Sequence, residues 1–115
     1  MLLVDDDPVF LQDAQRLSVG DRSILLASDS VRAMALVRDI TFSVVLVDLN
    51  LDSESGFDLI DKMHREVPTL PIIAISGVLS DAVLESAKEF GAVEVLRKPI
   101  SECWNEVISR VAQFK

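Results

Sequence analysis

Carboxylates and a lysine recur where short apolar runs end. Leu2-Leu3-Val4 runs into Asp5-Asp6-Asp7, and Val44-Val45-Leu46-Val47 runs into Asp48. The run from Ile72 to Ile75 meets Ser76-Gly77, and the run from Val93 to Leu96 meets Arg97-Lys98-Pro99. Brought to one place, two or three carboxylates repel one another unless a cation sits between them. A hard divalent ion such as Mg²⁺ does this well, because it takes carboxylate, carbonyl and water oxygens and usually keeps several waters. A protein that offers it two or three oxygens leaves positions open for a substrate phosphate. Lys98 adds a fixed positive charge and Ser76 a hydroxyl donor, the parts that stabilise the equatorial oxygens of a phosphoryl group in transit. The attacking group is not a Ser/His/Asp set, since the sole histidine, His64, falls within a helical pattern away from these run ends. A carboxylate can itself be the nucleophile and form an acyl phosphate. Asp48, at the end of a central run, is the best placed of the acids.

Each motif also has a plainer role. Asp7-Pro8 reads as a helix N-cap followed by proline at the first helical position. Ser76-Gly77 reads as a turn and Lys98-Pro99 as a loop start, and short motifs taken singly are weak signals. All of them, in order, at successive run ends are harder to set aside.

The elements that must position them follow from periodicity. The apolar runs Leu2-Val4, Ser23-Ala27, Val44-Val47, Ile72-Ile75 and Val93-Leu96 suit strands buried on both faces. Helical patterns lie between them. The first starts at Asp7-Pro8, carries Phe10, Ala14 and Leu17, and ends near Gly20. The second follows Asp29 or Ser30, with Ala33, Leu36, Val37 and Ile40. The third spans Gly56 to Val67, with Phe57, Ile60, Met63 and Val67, and stops before Pro68. The fourth begins at Ser80 or Asp81, turns Val83, Leu84 and Ala87 inward, and closes at Gly91. The fifth begins near Ser101, with Trp104, Val107, Ile108 and Val111. Alternating strands and helices predict right-handed βαβ units in a doubly wound α/β sheet. Ligands in such sheets bind beyond the carboxyl ends of the strands, where the strand order reverses. Asp5, Asp6, Asp7, Asp48 and Asp52 all sit near such ends.

The 115 residues, half of them apolar, suit one domain with one core, residues 1–115. A formal net charge of −8 with no Lys/Arg cluster argues against nucleic-acid binding by this chain alone. No stretch approaches the ~20 apolar residues of a membrane span, and Met1-Leu2-Leu3-Val4-Asp5 lacks the basic start of a signal peptide. The single cysteine, Cys103, excludes an internal disulfide and fits a reducing, cytoplasmic setting. It reads as a small buried hydrophobe.

Over essentially its whole length the sequence resembles the receiver domain of two-component response regulators. Leu2-Leu3-Val4-Asp5-Asp6 is similar to the family's strand-one acidic pair. Val45-Leu46-Val47-Asp48-Leu49-Asn50 resembles its phospho-acceptor strand, with Gly56 following. Ile73-Ala74-Ile75-Ser76-Gly77 resembles the strand-four hydroxyl residue and its small neighbour. Gly91-Ala92 and Leu96-Arg97-Lys98-Pro99 resemble the close of helix four and the end of strand five.

The resemblance implies a (βα)5 fold with strand order 2-1-3-4-5. It implies that Asp48 accepts a phosphoryl group, and that Asp5, Asp6, Asp48 and the Asn50 backbone carbonyl hold Mg²⁺ or Mn²⁺. Ser76 would bond a phosphoryl oxygen, Lys98 would pair with the group, and the Lys98–Pro99 peptide would be cis. The donor would be a phosphohistidine on a sensor histidine kinase or phosphotransfer protein. The chain would be a cytoplasmic signalling phosphoprotein rather than an enzyme, assisting its own phosphorylation and dephosphorylation. The face of helix four, strand five and helix five would serve any oligomer, and an effector domain could follow Lys115.

Three features depart from the family pattern. Asp52 stands where proline is usual, and Val95 where an aromatic switch residue is usual. Strand one has only four residues before its acids, so a trimmed start is expected. Three other functions compete with phosphorylation-driven switching. The first is a pseudo-receiver that binds partners without phosphorylation. The second is a metal-dependent phosphohydrolase, for whose cap domain 115 residues leave no room. The third is an FMN-binding flavodoxin relative, which would need a Ser/Thr/Gly-rich loop after strand one.

Overall fold

The structure, a computed structural model, describes residues 1–14, 17, 23–51 and 55–112. Along the chain run β1 (Leu2–Val4), α1 (Pro8–Asp13), β2 (Leu25–Ala27), α2 (Ser30–Asp39) and β3 (Val45–Asp48). These are followed by α3 (Gly56–Glu66), β4 (Ile72–Ser76), α4 (Asp81–Glu85), β5 (Glu94–Arg97) and α5 (Glu102–Ala112). All strand pairs are parallel, in the order β2-β1-β3-β4-β5. The expected doubly wound (βα)5 sheet is what forms.

β1, β3 and β4 are buried at every position, which is why they read as unbroken apolar runs. Successive side chains leave on opposite faces. Leu2, Val4, Val45, Val47, Ile72 and Ala74 pack with helices α2, α3 and α4. Leu3, Leu46, Ile73, Ile75 and Leu96 pack with α1 and α5 around Trp104 and Ile108. Truncating a side chain as buried as Trp104, 1 % exposed, costs about 3–5 kcal/mol. Its indole N–H also donates to the Arg97 carbonyl at 3.0 Å, tying α5 to the end of β5.

The helix starts match the sequence signals. Asp7 caps α1 by accepting from the Val9 amide, with Pro8 first in the helix. Asp29 caps α2 through the Arg32 amide, and Ser55 and Ser80 cap α3 and α4. Phe10, Ala14 and Leu17 are buried as expected; the expected helix end near Gly20 falls outside the described residues.

Several expectations shift. β2 is shorter than Ser23–Ala27 and is the sheet edge, where Leu25 and Leu26 remain exposed. β5 begins one residue later than Val93. In α2, Ile40 is exposed and Met34 fills the core beside Ala33 and Val37. In α3, Leu59 joins Ile60 and Met63. The fourth helix is not continuous: after Glu85 it tightens into a 3-10 helix over Ser86–Phe90. There the Ser86 hydroxyl donates to the Val83 carbonyl and competes with the α-helical ladder. The inward face is Leu84 and Ala87, while Val83 faces solvent. Gly91 ends this segment at φ 129°, a conformation that favours glycine, hard against His64. Cys103, expected to be buried, is exposed near the start of α5, its Sγ 3.0 Å from Ser101 Oγ.

Candidate functional site

Strand register brings the chemistry-bearing residues to one edge. Val4 lies beside both Ala27 and Val47, so Asp5 leaves β1 where Asp48 ends β3. Asp48 pairs with Ile75, and Ser76 with Arg97. The Lys98 amide then donates to the Ser76 carbonyl at 3.0 Å, which sets Lys98 next to Ser76. β1 and β3 are adjacent in the sheet although β2 separates them in sequence, so their carboxyl ends flank the point where strand order reverses.

Carboxylate oxygens of Asp5, Asp6 and Asp48 lie within 4.8 Å of one another. Asp5 is fully buried and Asp48 nearly so, while Asp6 is partly exposed. Asp7 caps α1 and stands apart from this group. One oxygen of Asp5 accepts from the Asp7 amide. The other is buried, makes no hydrogen bond of good geometry, and has the Lys98 ammonium 2.7 Å away as an ion pair. Lys98 Nζ also stands 3.4 Å from Asp48 Oδ2, and the second Asp48 oxygen accepts from the Asn50 amide at 3.1 Å. One ammonium thus serves two buried carboxylates, with the Asp6 carboxylate close by.

The electrostatics follow. Burial pushes the Asp48 carboxyl above the usual aspartate range; the Asn50 N–H opposes this, and the Asp5 charge adds to it. For Lys98, burial works against the charged form. The hydrogen-bonding and charge contributions of Asp5 and Asp48 outweigh burial and raise the ammonium above its ordinary value. A surplus of buried negative charge, with a carboxylate oxygen lacking a well-formed hydrogen bond, is what a hard cation relieves. The donor set therefore fits Mg²⁺ or Mn²⁺ held by Asp5, Asp6 and Asp48.

Ser76 is fully buried. Its hydroxyl donates to Asn50 Oδ1 at 3.2 Å and accepts from the amides of Val78 and Leu79. It therefore links the end of β3 to the loop leading into α4. Gly56 explains itself here: a Cβ at this position would come within 2.3 Å of the Asp48 carbonyl oxygen. The Lys98–Pro99 peptide is cis. Asp52 lies outside the described residues. His64 sits in α3 against Gly91, away from this edge.

Three contacts escape a reading of sequence. The Lys98 ammonium lies 4.2 Å from the centre of the Phe10 ring, face on. The Asn50 side chain, not only its backbone, reaches Ser76. Arg97 donates to the Leu79 carbonyl and to Asp81. Phe10 looks like any apolar member of a helix stripe, and nothing in the spacing of Asn50 or Arg97 announces a partner.

A doubly wound parallel sheet with an acidic cluster at its switch point and a lysine from the last strand is the architecture of a signalling receiver. The sequence matches the Response regulator receiver domain family over residues 1–110, and the chain belongs to that family. It is 30% identical over 101 residues to a response regulator receiver protein of Anaeromyxobacter sp. (strain Fw109-5), covering 87% of this chain and 42% of that protein. The chain thus spans less than half the length of that relative. Among solved structures, the receiver domain of NtrX from Brucella abortus superposes with a TM-score of 0.85 at 28% identity, covering 100% of both chains. A response regulator from Burkholderia pseudomallei, solved with a phosphorylated aspartic acid, calcium ion and citrate, gives a TM-score of 0.81 at 29% identity. That alignment covers 97% of this chain and 65% of the other. Among the described residues, no helix is long and apolar enough to cross a membrane.

Proposed function

We propose that residues 1–115 form one receiver domain that accepts a phosphoryl group on Asp48 and changes conformation in response. The observation that carries this is the meeting of Asp5, Asp6 and Asp48 within 4.8 Å of one another, with the Lys98 ammonium 3.4 Å from the Asp48 carboxylate. The donor is a phosphohistidine of a sensor histidine kinase or a phosphotransfer protein, and the setting is cytoplasmic. An Asp48 oxygen attacks phosphorus as the P–N bond breaks; the leaving imidazole nitrogen keeps the bonding electron pair and is neutralised by a proton. Asp5, Asp6, Asp48 and the Asn50 carbonyl are the ligands for Mg²⁺, which supplies charge neutralisation between carboxylates and incoming phosphate. Lys98 pairs with the new negative charge. Ser76 gives up its bond to Asn50 and donates to a phosphoryl oxygen. The Burkholderia pseudomallei relative, solved with a phosphorylated aspartic acid and a calcium ion, supports both acceptor and metal. The signalling output lies with partners or with a domain outside residues 1–115.

Incubation with acetyl phosphate and Mg²⁺ tests this. One alkali-labile phosphoryl group is expected on the wild-type chain and none on Asp48→Asn. Unchanged labelling of the variant, a label on Ser76, or equal labelling in excess chelator would overturn the assignment.

A further inference from the structure

The Lys98 side chain has to cross from the end of β5 to the carboxylates of β1 and β3, and a flexible four-carbon stem does not hold such a course unaided. Its ammonium touches two carboxylates on one side, Asp5 Oδ2 at 2.7 Å and Asp48 Oδ2 at 3.4 Å. On another side it meets the ring of Phe10, 4.2 Å from the centroid. Phe10 is 7% exposed, and its ring packs on Trp104 with centroids 5.8 Å apart at 56°. Trp104 is in turn fixed by its N–H to the Arg97 carbonyl, one residue before Lys98. The ring is therefore held by the same segment whose lysine it contacts. A Cβ on Gly77 would meet Lys98 Cβ at 3.3 Å, so the stem is also walled close to its base.

We propose that Phe10 is a positioning residue for phosphoryl transfer: its ring face, braced by Trp104, holds the Lys98 ammonium over the Asp5–Asp48 edge where the phosphoryl group arrives. The inference rests on the proposed function of that edge. A ring face attracts a cation without competing for its N–H donors in the way a third carboxylate would. The ammonium therefore stays in place yet keeps donor capacity for phosphoryl oxygens. A leucine of similar apolarity fills the core but offers no such face.

The test combines NMR of the unphosphorylated protein with phosphorylation kinetics. In wild type, the Lys98 methylene protons next to Nζ resonate upfield through the ring current of Phe10. Phe10→Leu abolishes that displacement and Phe10→Tyr keeps it. With acetyl phosphate and Mg²⁺, Phe10→Leu slows phosphorylation about three- to tenfold, as loss of a cation–π contact implies, and Phe10→Tyr restores the rate. Ile108→Val, which trims the same core away from Lys98, leaves the rate unchanged. Wild-type labelling with an unaffected Phe10→Leu rate, an equal loss in Ile108→Val, or Lys98 resonances indifferent to Phe10→Leu would overturn the inference alone. A wild-type chain that takes no phosphoryl group would overturn the proposed function, and with it the catalytic purpose of the contact, while the resonance arm would still record the contact itself.

Discussion

The Ser76 hydroxyl donates to the Asn50 side-chain oxygen at 3.2 Å while accepting the amides of Val78 and Leu79. One buried oxygen thus joins the segment after β3 to the loop that starts α4. Ser76→Ala leaves those two amides without their acceptor, a loss on the order of 1–3 kcal/mol for buried groups. Faster amide exchange at Val78 and Leu79 is expected in the unphosphorylated variant, with labelling of Asp48 retained but the wild-type spectral response to it lost. Exchange equal to wild type would remove the hydroxyl from this linkage.

Asp48 shares the Lys98 ammonium with Asp5, and burial raises its carboxyl above the ordinary range, with the Asp5 charge adding to that. A carboxyl whose folded pKa exceeds its unfolded value weakens the fold above the folded pKa, and the cost is relieved as pH falls through it. In metal-free buffer near neutrality, Asp48→Asn therefore melts above wild type. If Mg²⁺ binds the folded state as proposed, it should stabilise the wild type by about 2.7 kcal/mol at a hundredfold excess over Kd and raise its melting temperature. Asp48→Asn should gain less. Thermal melts across a Mg²⁺ titration decide it, and identical metal responses in the two proteins would count against Asp48 as a ligand.

Gly56 starts α3 directly against the backbone of Asp48. A methyl group there would lie 2.3 Å from the Asp48 carbonyl oxygen and 2.4 Å from Leu49 Cα, both backbone atoms that no rotamer change can move. Gly56→Ala recovers the ~0.5–1 kcal/mol that glycine loses in a helix but forces apart the β3–α3 junction, for which overpacking costs about 1–3 kcal/mol or more. A lower urea midpoint and slower labelling of Asp48 are expected together. A stabilised, fully active Gly56→Ala would show that the junction yields freely.

The acidic edge is legible in sequence because each of its residues ends a buried strand, and a parallel sheet must gather strand ends. Phe10 is not, because its place in the Phe10–Ala14–Leu17 stripe already accounts for it as core, which it is; its contact with Lys98 depends on where a side chain from the far end of the chain comes to rest. The split of the fourth helix is equally hidden. Asp81 to Phe90 carries a helical pattern throughout, and only the Ser86 hydroxyl bond to Val83 marks where the winding tightens. Regular winding would turn Val83 inward, but it lies outward.

On the opposite edge, Arg38 grips Glu66 through two contacts, Nε to Oε1 at 2.9 Å and Nη2 to Oε2 at 3.0 Å, joining α2 to α3. The Arg38 hydrogen bond, opposed by slight desolvation and aided by its charge, holds the Glu66 carboxyl below the usual range. A depressed folded pKa contributes stability that is present above the unfolded value and lost as pH falls through the folded one. The urea midpoint of Glu66→Gln should lie slightly below wild type at pH 7 and converge with it in acid. A gap that persists below the range of carboxylate titration would point to packing rather than charge.

Val95 lies on β5, at the position where the family resemblance leads one to expect an aromatic residue. It is β-branched, partly buried against the α2–α3–α4 side of the core, and has few rotamers to exchange. Two residues on, Arg97 reaches the β4–α4 loop from outside, donating to the Leu79 carbonyl at 2.6 Å and to Asp81 Oδ1 at 2.8 Å. The loop is thus held from within by Ser76 and from without by Arg97. If Ser76 turns to a phosphoryl group, only the outer hold remains, and backbone rather than a swinging ring must carry the change. Beryllium fluoride, as a phosphoryl mimic, should alter amide exchange across residues 77–90 more than at Val95. Arg97→Gln, which loses an exposed ion pair worth only ~0.2–1 kcal/mol, should raise exchange in that segment beforehand and shrink the further change on adding the mimic. Were the response confined to α1 or α3, with residues 77–90 silent and Arg97→Gln indistinguishable from wild type, the signal would leave by another face.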